Sequence, residues 1–136
     1  MHFSYEVRIP KSTSQAAPYE KILLLSAGVI TGMQIDICAG HAGTAHLVLL
    51  YHEFQLYPLS RGEDYHGDSS NIPWSDRFDM ETGPYELKAR GWNTDTKSDH
   101  RFQVHVAVLR EDQLGMSTGT LKLKDLAAIA GTNVEI

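Results

Sequence analysis

The 136-residue sequence predicts an all-β fold, a single antiparallel β-sandwich of jelly-roll type. Three observations predict it. Apolar and polar residues alternate with a period of two over several short stretches, turn signals recur about every ten residues, and no long stretch keeps a helical period.

Residues 3–9 carry the cleanest signal, with Phe3, Tyr5, Val7 and Ile9 on one face and Ser4, Glu6 and Arg8 on the other. Pro10 ends that strand because it brings no N–H to a ladder, and the small and polar residues up to Pro18 read as a loop. Residues 19–26 are expected to form a strand that buries Leu24, since Gly28 follows too soon for an ordinary helix. In residues 29–37 the expected core face is Val29, Thr31, Met33, Ile35 and Ile37. A turn of small residues at 39–43 leads to a strand with Leu47 and Leu49 inward and His46, Val48 and Leu50 outward. Its second face is unusually apolar, so something must cover Val48 and Leu50.

Residues 58–83 read as a long polar loop with a short strand at 72–74, and a loop of that length usually binds something. Two more alternating strands follow, one through Tyr85, Leu87 and Ala89 and one through Phe102, Val104, Val106 and Val108. The polar stretch 93–99 is expected to join them as a hairpin. The sandwich is therefore assigned to residues 1–110. Residues 111–136 are assigned to a C-terminal extension, a linker followed by a short strand or helix.

Composition excludes several function classes. A net charge of −5 with no basic run argues against nucleic-acid binding, which draws its affinity from lysine and arginine on phosphates. The single cysteine, Cys38, excludes an internal disulfide framework, and its neighbours Asp36, Ile37, Ala39 and Gly40 offer no base to activate it. The opening residues show no basic segment followed by an apolar one, and apolar runs such as 22–25 are far too short to span a membrane. The expectation is a protein without a membrane partner.

No catalytic residue is assigned. Among the seven histidines, His46 and His52 share a strand face, but six residues of strand place them about 20 Å apart. His41 and His105 add no H-x-H pair, so neither a metal nor another cofactor is expected. Glu63, Asp64 and Asp68, with Gly62 and Gly67, resemble half of a calcium loop, although solvated acidic loops are commoner. Glu53 and Glu86 are two carboxylates that nothing singles out as a glycosidase pair. Trp74, Trp92, Tyr57 and Tyr65 lie near loops and strand ends, where such rings serve interfaces, core edges or sugar stacking.

Several segments together resemble small β-sandwich accessory proteins of tailed-phage virions, of the head-decoration kind. They are the opening strand 5–10, the turn at Gly28-Val29-Ile30, the Ala39-Gly40-His41-Ala42-Gly43 turn, the step Phe54-Gln55-Leu56-Tyr57-Pro58, and residues 85–95 with Gly91-Trp92. The resemblance covers residues 3–109 and carries no site residue over. It implies a structural subunit made in a bacteriophage host's cytoplasm and resident in the virion. Such a subunit forms a homo-oligomer, with a trimer as the natural guess, and decorates or cements a major capsid protein or another virion surface. The residues themselves supply the candidate interface: Val48 and Leu50 on the apolar second face, Trp74 and Trp92 near strand ends, and Leu121, Leu123, Leu126 and Ile129 in the extension. The alternatives are a carbohydrate-binding β-sandwich module and a cupin-like metal enzyme.

Overall fold

The computed structural model describes residues 1–110. The expectations placed on the extension from 111, including those for Leu121, Leu123, Leu126 and Ile129, lie outside the described residues. Eight strands follow in order: β1 (His2–Ile9), β2 (Tyr19–Leu24), β3 (Gly28–Ile37), β4 (Ala45–Tyr51), β5 (Phe54–Tyr57), β6 (Ser70–Met80), β7 (Glu86–Asn93) and β8 (His100–Leu109).

The pairing nests from the ends inward. β1 pairs with β8, β2 with β7, β3 with β6 and β4 with β5, all antiparallel, like one long hairpin. Rolling that hairpin up joins β3 to β8 and β4 to β7. The result is two four-stranded sheets, ordered β1-β8-β3-β6 and β2-β7-β4-β5, packed as a jelly-roll sandwich. The predicted fold class is the observed one.

Between the sheets lies a core in which Val7, Ile9, Ile35, Leu47, Leu49, Leu87, Val104 and Val106 are fully or almost fully buried, as their alternation predicts. Leu24 is one exception among the predicted core residues. It is 61% exposed, and Leu23 is buried in its place. Ile22 to Leu25 are all apolar, so nothing local sets the phase of β2; the pairing of Leu23 with Leu87 does.

A second correction falls in β3. Its register shifts between Ile30 and Gly32 against both neighbours, so an irregularity breaks the period of two. Met33, Ile35 and Ile37 face the core as expected, but it is Ile30, and not Thr31, that continues the core face.

Two elements lengthen or change partner. The stretch 58–83 holds more than a short strand at 72–74, because β6 takes eleven of its residues as the edge of the first sheet. Pro73 obscures that strand in the sequence, and an edge strand tolerates it because one side needs no ladder partner. The segment 93–99 is not a hairpin either: β7 and β8 belong to different sheets, so the chain crosses the sandwich there. Turn-forming residues mark a reversal but carry no information on which sheet receives the next strand.

Candidate functional site

The outer face of the second sheet gathers most of the polar chemistry. Trp92, Arg90 and Lys88 of β7 stand opposite His46, Val48 and Leu50 of β4, and Glu20 of β2 stands opposite Arg90. Arg90 Nε bonds Glu20 Oε2 at 2.7 Å, while Lys88 pairs with Glu53. Val48 and Leu50, the cross-strand partners of Arg90 and Lys88, are only 6% and 4% exposed. The cover that the apolar second face requires thus comes, for these two, from within the chain.

Beside this network is a hollow of about 440 Å³. Trp92, Arg90, Val48 and Gln55 form its sheet side, Gln15, Ala16 and Pro18 one wall, and Gly62 and Glu63 the other. Gln55 holds the second wall in place, since its Nε2 donates to the carbonyls of Pro58, Ser60 and Glu63. One face of the Trp92 ring is taken by the His46 imidazole, stacked at 5.3 Å and 12°. The ring therefore presents its other surfaces to the hollow.

The loop after β5 then returns along β4. Leu47 and Tyr65 exchange both backbone hydrogen bonds, at 3.0 and 2.8 Å, and Gly43 N–H donates to Gly67 O at 3.0 Å. This short ladder occupies the edge of β4 beyond the end of β5, and the period of two sets His46, Asp64 and His66 on the outer face. Nδ1 of His46 and Nδ1 of His66 both donate to Asp64 Oδ1, at 2.7 and 2.8 Å. The sequence signal for this cluster was the D-x-H spacing of 64–66, but nothing local ties it to His46.

The other candidate ligands are dispersed. Asp68 accepts from the Gly40 amide at 2.8 Å, and that bond, with others from Ala42 and His41, holds its carboxyl below the usual range. It braces the 39–44 turn and does not join Asp64 in a calcium loop. His52 sits at the β4–β5 turn with φ of 49°, its Nε2 near Pro84 O, well away from His46. Glu53 and Glu86 do line one hollow of about 300 Å³. There Lys88 holds the Glu53 carboxyl below its usual value, the opposite of what a glycosidase acid needs.

Trp74 lies on the core side of β6, partly buried, stacked on Tyr65 at 5.4 Å and edge-on to Tyr57 at 5.3 Å. The three rings close the side of the sandwich where β6 and β5 are edges. Burial raises the Tyr57 pKa, as does the hydrogen bond to Asp76 at 2.5 Å; burial alone raises Tyr65 to about 12. Cys38 is partly buried.

His105 belongs to the opposite outer face, in a row the sequence did not single out. Ser4 Oγ lies 2.8 Å from His105 Nδ1, and His105 Nε2 lies 2.8 Å from Asp36 Oδ2. Some desolvation acts against ionisation of Asp36, but hydrogen bonds from Gln34 and His105 outweigh it and lower its pKa. The row has the residue types of a hydrolytic triad on an open sheet face. β8 is flanked by β1 and β3, so its amides serve the ladders and are not free to form an oxyanion hole. We read it as a cross-strand polar row.

At the end of the sandwich His41 is fully buried. Its Nε2 lies 2.7 Å from the Arg101 carbonyl and must carry the proton, while Nδ1 has no partner among the described residues. Burial holds its pKa below the ordinary 6.5. Above that pH the ring is neutral in both folded and unfolded chains. As the pH falls below it, the unfolded chain takes up a proton that the folded one resists, so stability is lost. The melting temperature is expected to drop between pH 7.5 and pH 5, and to drop less in His41→Gln. Equal slopes for the two proteins would remove His41 as the cause.

Among the described residues no helix is long and apolar enough to cross a membrane. Comparison of the sequence with protein-family models and with curated proteins finds no match.

Proposed function

We propose that this chain is a non-enzymatic structural subunit that assembles with copies of itself as an accessory component of a virion surface. The supporting observation is the placement of exposed apolar side chains at the two edges of one sheet. On edge strand β2, Ile22 and Leu24 point outward and are 41% and 61% exposed. At the opposite edge, Phe54 of β5 and Leu59 just beyond it are 49% and 64% exposed. Patches on opposite edges suit a head-to-tail contact between identical chains, which closes into a ring when the rotation allows. Among the described residues no further strand pairs with the outer edges of β2 and β5, a second reason to associate. The virion setting and the three-fold guess rest on the family resemblance alone.

Light scattering on the full chain tests the assembly. A discrete oligomer is expected, and the double variant Ile22→Glu/Leu24→Lys should be monomeric with a nearly unchanged melting temperature, since exposed substitutions usually shift stability by about 0.5 kcal/mol or less. The full chain should also sediment with virions of the phage that encodes it. A chain that stays monomeric at high concentration and does not sediment with them overturns the proposal. A carbohydrate-binding role is then the better reading, favoured by the hollow that Trp92, Arg90, Gln55 and Glu20 line.

A further inference from the structure

We infer that His46, Asp64 and His66 form a binding site for a divalent transition metal of the zinc class. The three residues offer one donor atom each, all within 4.8 Å of one another. Among the described residues they are the one group of three His, Cys, Asp or Glu side chains so placed. Two imidazoles and one carboxylate select borderline ions such as Zn²⁺, Ni²⁺ or Cu²⁺ over Ca²⁺ and Mg²⁺, which need mostly oxygen donors.

The donors are positioned by backbone. His46 sits inside a strand between β7 and the returning loop, and the Leu47–Tyr65 and Gly43–Gly67 hydrogen bonds fix where Asp64 and His66 start. Stacking on Trp92 holds the His46 ring upright. The rings of His46 and His66 are 5.2 Å apart and tilted by 49°, so both can turn a nitrogen to one point.

Without metal, two N–H protons occupy the space between the nitrogens and Asp64 Oδ1. Donors around an ion bound at about 2.0–2.2 Å stand a little over 3 Å apart, so the N–O separations of 2.7 and 2.8 Å need to open only slightly. On binding, each neutral imidazole moves its proton from Nδ1 to Nε2, and the carboxylate exchanges two hydrogen bonds for one metal bond. No redox step is involved. Three protein ligands leave at least one position open, and the His66 side chain is 54% exposed, so water completes the shell. The ion would pin the returning loop to β4 beside the hollow.

Calorimetry with ZnCl₂ on the chelator-treated full chain decides it. One ion per chain is expected, with no binding of Ca²⁺ or Mg²⁺ at the same concentrations, and the melting temperature should rise with zinc. His66→Ala and Asp64→Asn should each weaken zinc at least about tenfold, and His52→Ala should not. Cu²⁺ should quench tryptophan fluorescence in the wild type and much less in Trp92→Phe. His66 is exposed enough that its removal leaves the fold intact. Absence of zinc binding, or zinc binding that survives both His66→Ala and Asp64→Asn, overturns the site. The result is independent of assembly, because a monomer presents the same three residues.

Discussion

Replacing Val104 with aspartate is expected to abolish folding. Val104 is fully buried on β8, paired with Tyr5 of β1 on one side and Ile35 of β3 on the other. Its side chain points between the sheets, into a cluster that includes Ile35, Phe102 and Val106. A carboxylate there loses its hydration and meets no cation, which costs several kcal/mol, against a total stability of about 5–15 kcal/mol for a domain. Taking up a proton lowers the cost but still leaves a buried polar group among apolar ones. Val104→Thr keeps the shape without the charge and should cost about 1–3 kcal/mol. Circular dichroism and denaturant titration distinguish the two. A soluble Val104→Asp protein with a cooperative transition would show that this face of β8 is not the core face.

Gly91→Val is expected to be the most damaging single added side chain in β7. A Cβ at Gly91 would overlap Ile9 Cδ1 and stand 2.8 Å from the His46 carbonyl oxygen. Ile9 is fully buried on β1 of the facing sheet, so the missing side chain is what lets the two sheets approach at this rung. The His46 oxygen belongs to the neighbouring strand, and moving it strains the β4–β7 ladder beside Trp92. Overpacking of this kind costs about 1–3 kcal/mol for Gly91→Ala and more for valine. Each kcal/mol lowers the melting temperature by about 3–6 °C in a domain of this size. Ile9→Val removes the Cδ1 that an alanine Cβ would strike. The double variant Gly91→Ala/Ile9→Val should therefore be more stable than the two single losses added together. Strict additivity would place the strain elsewhere.

Both predictions use the same property of the chain. Where a strand has one apolar and one polar face, as β1, β7 and β8 do, local alternation already states which residues are inside. Val7, Leu87 and Val104 were legible for that reason. Alternation is silent where both phases are apolar, as at Ile22–Leu25, and it misleads where an irregularity interrupts it, as between Ile30 and Gly32. Pro73 hid a long strand because its tolerance depends on β6 being an edge, which is a fact about neighbours. The candidate metal site shows the same limit. Spacing along one strand rightly separates His46 from His52, yet it says nothing of Asp64 and His66, which reach His46 from a loop eighteen residues onward.

The sequence by itself determined the fold class, the orientation of the cleanly alternating strands and most of the core, because burial of one face imposes a period of two that survives in the residues. Only the tertiary structure decided the strand order, the phase of β2, the cover over Val48 and Leu50, and the meeting of His46 with Asp64 and His66. Those depend on which backbone edges find each other, and hydrogen bonds between distant segments leave no periodic trace in the chain.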